Sequence, residues 1–137
     1  MNAIKAALKT VLRADATLAG ILSTFDGVKA VFGSRLVPGD ADPPYMVIIG
    51  PITTSDWSSK GANRGYDTYF DIACVAASEY QASALAERAY AVLHRQALTV
   101  TGFSVADVRC SGPQDGPSID EEITSKMIGV RIKATES

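Results

Sequence analysis

The sequence has little of what most site chemistry requires: one histidine, two cysteines and one tryptophan in 137 residues. A single His leaves no imidazole pair for a metal, and Cys74 and Cys110 have no ligand spacing around them, so a structural zinc site has nothing to build on. A Ser-His-Asp constellation is equally short of parts. Neither GxGxxG nor GxxxxGK[ST] occurs, which removes the glycine-rich phosphate loops. Charge of one sign is also lacking. Thirteen basic against fifteen acidic residues give a net charge of −2, unlike a general nucleic-acid binder, although local phosphate contacts stay open. No stretch approaches the ~20 apolar residues of a membrane helix. The opening MNAIKAALKTVLRADATLAG carries Asp15 and no uninterrupted apolar run, so it does not read as a secretory signal. With no sign of export, the two cysteines, both in predicted strands, read as buried thiols; a disulfide would need facing positions and an oxidising compartment. Hydrophobic and charged fractions of 47% and 20% are those of an ordinary globular chain, and the length fits one domain, 1–137.

What is present is a strand leading straight into a helix, from Tyr66 to Gln96. Tyr66, Thr68, Phe70, Ile72 and Cys74 alternate with Asp67, Tyr69, Asp71, Ala73 and Val75, a period of two with one mostly apolar face. Ser78 opens a helix, and Gln81 three residues later completes an S-x-x-Q capping box. Ala82, Leu85, Ala86, Ala89, Val92, Leu93 and Gln96 then share one stripe, with Ser83, Glu87, Arg88 and Arg95 opposite. The alanines predict a helix that approaches a sheet closely.

Upstream, Asn2 to Arg13 reads as a helix with an apolar stripe of Ile4, Ala7, Leu8, Val11 and Leu12. Lys5, Lys9 and Arg13 line its other side as a solvated face or as a basic edge for an acidic partner. Asp15 is placed to cap a short helix, Ala16 to Ser23. Asp26-Gly27 is a turn and Val28 to Phe32 a short strand. Gly33 to Pro44 is a long loop. Tyr45 to Ile52 is apolar on both faces, which predicts that a neighbouring subunit covers part of the side that helices leave open. Thr53 to Gly65 is polar and contains Trp57, Lys60 and Arg64; it reads as an extended hairpin arm. Its Trp is either an interface anchor or a ring folded back on the sheet edge.

Downstream, Leu98 to Phe103 reads as a short strand or bend. Ser104 to Cys110 is a strand with Ala106, Val108 and Cys110 inward and Asp107 and Arg109 outward. Ser111 to Glu122 is an acidic loop with Asp115, Asp120, Glu121 and Glu122, lacking the regular spacing of a calcium loop. Thr124 to Ala134 is the last strand, with Ile128, Val130, Ile132 and Ala134 on one side. The fold class is α+β: a mainly antiparallel sheet of four to five strands with two main helices packed on one face. Its outward side carries Asp67, Asp71, Asp107, Arg109, Arg131 and Lys133, suited to pairing across strands.

No catalytic residue, cofactor or metal ligand emerges. Asp67 and Asp71 are the best carboxylate pair, yet four residues of strand separate them by ~13 Å, beyond the ~5 to 9.5 Å of glycosidase pairs. His94 reads as a surface residue at a helix C-terminus beside Tyr90, where a cation is favoured.

The order of the pieces resembles the tail-completion, or tail-terminator, proteins of long-tailed bacteriophages and gene-transfer particles. The segments that carry the likeness are the opening helix with Arg13-Ala14-Asp15-Ala16-Thr17-Leu18-Ala19, Val31-Phe32-Gly33, and Pro43-Pro44-Tyr45-Met46-Val47-Ile48-Ile49-Gly50. Tyr69-Phe70-Asp71-Ile72, the helix with Ala82, Ala86 and Leu93-His94, Leu98, and Ile128-Gly129-Val130-Arg131-Ile132 complete it. The resemblance implies a non-enzymatic virion protein, made in the host cytoplasm and located at the head–tail junction. It implies a homo-oligomeric ring, usually a hexamer, that ends the tail tube, meets the head connector and lets DNA pass through its lumen. Partners would be further copies, the tail-tube protein and the connector, with no membrane. Trp57, Lys60, Arg64, Asp115, Asp120, Glu121 and Glu122 are the expected protein-interface residues. The alternative is a monomeric or dimeric phage neck adaptor that binds one partner.

Overall fold

Apolar residues at four-residue spacing put Ile4, Leu8 and Leu12 on one side of the first helix, and all three are fully buried. The computed structural model describes residues 2–25, 27–33, 42–58, 64–115 and 123–136, with the backbone alone at 2, 53–58 and 64. Asp26 of the expected turn and most of the expected Gly33–Pro44 loop lie outside the described residues. Helix α1 spans Asn2–Ala14, and α2 follows at Ala16–Ile21. Asp15 caps α2 as its position in the sequence predicts: its carboxylate accepts from the Leu18 N–H at 3.0 Å, filling an otherwise unpaired first-turn donor.

The expected strand Val28–Phe32 is two strands. β1 (Thr24–Phe25) pairs antiparallel with β2 (Val28–Lys29), whereas β3 (Val31–Phe32) pairs parallel with β4 (Tyr45–Ser58). Ala30 divides them, donating to the Ser23 carbonyl and accepting from the Met46 N–H, both at 2.9 Å. The backbone changes partner there.

β5 (Arg64–Ala76), β6 (Phe103–Asp115) and β7 (Thr124–Glu136) complete a five-stranded sheet in the order β3-β4-β5-β7-β6. Its β4–β5, β5–β7 and β6–β7 pairs are antiparallel and β3–β4 is parallel, so the sheet is mixed. Ile48, Ile72 and Ile128 form one cross-strand row, and Phe70, Val130 and Cys110 another. All six belong to one buried cluster with Ile4, Leu8 and Leu12 of α1 and Leu85, Ala86, Ala89 and Leu93 of α3 (Glu79–Leu93). Each large side chain in it stabilises the fold by about 1.5–3 kcal/mol relative to exposure. The Gln81 N–H donates to Ser78 Oγ at 3.2 Å, the N-terminal cap read from the sequence.

Four boundaries differ from expectation. α3 stops at Leu93, so Gln96 lies past the stripe and is exposed, and Arg95 takes a left-handed φ of 57°. The β6–β7 ladder slips between Val105 and Asp107, which makes Ala106 an extra, exposed residue instead of an inward one. Ser111 to Asp115 continue β6 rather than opening a loop. Finally, β4 runs through the expected arm to Ser58, which pairs with Arg64. Its register slips between Ile49 and Thr53, where Gly50 has φ 138° and a Cβ would stand 2.8 Å from the Ile52 nitrogen.

Part of the second face of β4 is covered from within, while Ile52 further along is 43% exposed. Phe25 and Phe32 pack with Tyr45, Val47 and Val75, the rings meeting edge-to-face at 5.6 and 5.8 Å. A neighbouring subunit is not required at Tyr45 and Val47. Two members of the basic row of α1, Lys5 and Arg13, are likewise engaged within the chain. Lys5 Nζ donates to the Gly50 carbonyl at 3.0 Å, and Arg13 donates to the Lys29 and Val31 carbonyls at 3.2 and 2.8 Å. These cations tie α1 to β2, β3 and β4.

Candidate interaction surface

Register decides where the expected contact residues stand. Trp57 pairs with Gly65, and Gly65 with Thr135, at one end of the sheet. Asp115 pairs with Lys126 at the other. Nine residues of β7 separate those rows, ~30 Å at ~3.4 Å per residue. Trp57 and Asp115 therefore do not come together in one chain. Lys60, Asp120, Glu121 and Glu122 lie outside the described residues. The Asp115 side chain is 83% exposed and contacts Lys126, which also reaches Glu79 at 3.2 Å.

Between these ends, the sheet's open face carries the mixed charges that the alternation predicts. Arg131 forks onto Asp67, Nε to Oδ1 at 2.9 Å and Nη2 to Oδ2 at 2.5 Å. That hydrogen-bonded pair holds the Asp67 carboxyl below the usual carboxylate range. Asp67 is thus engaged with a cation and is no half of a carboxylate dyad. Arg109 Nε donates to Asp107 at 2.7 Å. Tyr69 lies across Gly129, where an added Cβ would overlap the phenol and stand 2.8 Å from Ser111 Oγ. Glycine is required here by the close approach of a ring.

His94 has more to do than a surface residue at a helix end. Its Nδ1 accepts the Cys110 N–H at 3.0 Å, and its ring stacks on Tyr90 at 4.6 Å. One residue on, the Arg95 N–H donates to the Val108 carbonyl at 2.8 Å. Two backbone groups on the outer edge of β6 are thereby satisfied, which limits pairing of that edge with other strands. Beside them, Arg95–Leu98 and Val105–Arg109 wall an open cleft of about 520 Å³. A second groove of about 550 Å³ runs between α1 and the Ala97–Thr101 segment, lined by Ala3, Ala7, Val11 and Thr99. Neither is legible in the sequence, because each depends on where the Arg95–Thr101 connection crosses the fold.

Cys74 and Cys110 are buried and free. Burial pushes the Cys74 thiol up to about 12 and the Cys110 thiol to about 11, so both stay protonated and weakly nucleophilic. Among the described residues, no three His, Cys, Asp or Glu side chains are placed to hold a metal. No described helix is long and apolar enough to cross a membrane.

Fold and surface together define a small mixed α/β domain whose distinctive features are strand edges, charged pairs and clefts. Residues 6–133 match the family described as Tail completion protein gp17, and the chain belongs to that family. It is a structural component of a virion tail. No curated protein matches it significantly. Among solved structures, a chain of the virion of a native gene transfer agent particle is similar in fold. That chain is 23% identical, with a TM-score of 0.80, over 98% of this chain and 96% of its own.

Proposed function

We propose that copies of this chain close into a ring, a hexamer, at the head-proximal end of the tail tube. The ring stops tube growth and presents a surface to the head connector, while DNA passes through the lumen without specific binding. The role is structural, with no catalysis. The observation that carries this reading is a tail-completion family match extending over residues 6–133. Assembly of the similar chain within a gene transfer agent virion supports it.

Elementary size adds an argument. A 137-residue domain has a radius of gyration of ~14 Å, so one copy cannot enclose a DNA channel. Several copies in head-to-tail contact can. A net charge of −2 suits a channel that lets DNA slide rather than grips it. Electron microscopy of particles containing this chain is the test, with a closed ring at the head–tail junction as the expected result. Chain density elsewhere in the particle, or a stable monomer or dimer in light scattering with tail tubes present, overturns the ring.

A further inference from the structure

We infer that the groove between α1 and the Ala97–Thr101 segment receives the Tyr80 ring of a second copy of this chain. The inference rests on the self-assembly reading above and names one contact through which a copy meets the next. Tyr80 lies in the first turn of α3 and is 86% exposed, against 49% and 43% for Val28 and Ile52. A ring held so far out in water contributes almost nothing to the packing of its own chain, and tyrosine is a residue type that anchors interfaces. The groove is suited to a ring. Ala3, Ala6, Ala7 and Ala97 line it with methyl groups, no lining residue is charged, and its volume is about 550 Å³. A seated tyrosine buries ~150–250 Å², and the Thr10 and Thr99 hydroxyls of the lining offer partners for the phenol.

Tyr80 does not fill the groove of its own chain. From Tyr80 to Leu93 the helix runs ~20 Å at ~1.5 Å per residue, and the chain continues to Ala97 before it reaches the groove. α1 does not shorten the path. Asp15, at its end, is bound by Arg88, already ~12 Å along α3 from Tyr80. Ala3 and Ala97 line the same groove, so α1 carries it away from Tyr80, well beyond the reach of one side chain. Charge favours a match between copies. Residues 2–14 and 95–101, which wall the groove, contain Lys5, Lys9, Arg13 and Arg95 and no carboxylate. The carbonyls that hold Lys5 and Arg13 are neutral and leave those charges in place. Of the carboxylates beside these segments, Asp15 is bound by Arg88 and Asp107 by Arg109, and Glu136, opposite Phe103, accepts the Tyr66 hydroxyl. Tyr80 stands instead among acids. Glu79 and Asp115 share Lys126, and Glu87, exposed two turns along the same stripe of α3, pairs with no cation among the described residues. Ring and groove lie on different surfaces, so the contact is heterologous and repeats from copy to copy until it closes.

Cross-linking of the full chain tests the contact. Cys74 and Cys110 are buried, so Tyr80→Cys and Ala6→Cys, both at exposed positions, supply the accessible thiols. A short bis-maleimide added to an equimolar mixture, alone and with tail tubes, is expected to join one variant to the other, and neither variant to itself. Sedimentation velocity gives a second readout. Tyr80→Ala is expected to keep the wild-type circular dichroism and to need at least about tenfold more protein to assemble. Ala6→Glu, which sets a carboxylate in the groove, should weaken assembly in the same direction. Wild-type-like assembly of Tyr80→Ala, or linkage of Tyr80→Cys to itself and not to Ala6→Cys, overturns the contact and leaves the ring reading standing. If wild-type chain never associates, even with tail tubes, both readings fail.

Discussion

Asp15 serves two elements with one carboxylate. It caps α2 through the Leu18 N–H and takes both Nε and Nη2 of Arg88 on α3, at 3.0 and 2.8 Å. The Arg88 hydrogen bonds lead in holding its carboxyl below the usual range, burial opposing them. A depressed carboxyl contributes stability above the unfolded value of about 4 and loses it as pH falls through the folded value. Asp67 follows the same sign through Arg131. Asp15→Ala is expected to cost about 1 kcal/mol at pH 7 through the lost cap alone. In urea titrations the gap to wild type should narrow below about pH 4; a constant gap down to pH 2 would contradict the ion-pair assignment. The thiols give a second check. Iodoacetamide should leave Cys74 and Cys110 unlabelled in native protein and modify both in denaturant, because burial keeps each protonated and shielded. Rapid native labelling of Cys74 would contradict its place in the core.

At the level of elements, the helix–sheet seam carries the stability. Leu85 and Leu93 lie in it, 0% and 2% exposed, and a charge introduced there has no partner or water. Leu85→Asp or Leu93→Asp is expected to abolish folding. A soluble product with a cooperative thermal transition would refute the seam. This helix was readable because Ser78 marks its start and its alanines and leucines repeat at helical spacing. β5 was readable because Phe70, Ile72 and Cys74 alternate. The bulge at Ala106 was not, since alternation does not reveal an inserted residue until a partner strand counts it. The division of the expected Val28–Phe32 strand is hidden for a related reason: two residues, Val31 and Phe32, carry no period, and only Met46 and Val47 opposite them define a parallel pair. The docking of Lys5 and Arg13 on carbonyls 45 and 18 residues away left no trace in a pattern that equally fits a solvated face.

For the whole molecule, the described part of the 53–65 segment continues the sheet, with Trp57 opposite Gly65, Gly65 opposite Thr135 and Ser58 opposite Arg64. We expect Trp57→Ala with Arg64→Ala to leave the melting temperature within a few degrees of wild type and to weaken assembly on tail tubes. Equal loss of the monomer fold in circular dichroism would sink that role. The arm and the Arg95–Arg109 cleft sit toward one end of the sheet and Asp115 at the other. A molecule polarised in this way has different surfaces to offer at its two ends, which is what head-to-tail association needs.

The sequence by itself determined the apolar stripes of α1 and α3, the caps at Asp15 and Ser78, the alternation of β5 and β7, and the order of segments that marks a tail-completion protein. These are local or linear properties, set by which residue follows which. Tertiary structure alone decided which charges neutralise one another. Arg13, Arg88 and Arg131 find carbonyls or carboxylates far along the chain, while Arg95 and the terminal nitrogens of Arg109 have no partner among the described residues. Strand register also set Trp57 and Asp115 at opposite ends of the sheet, because distance along the chain does not fix distance across a sheet.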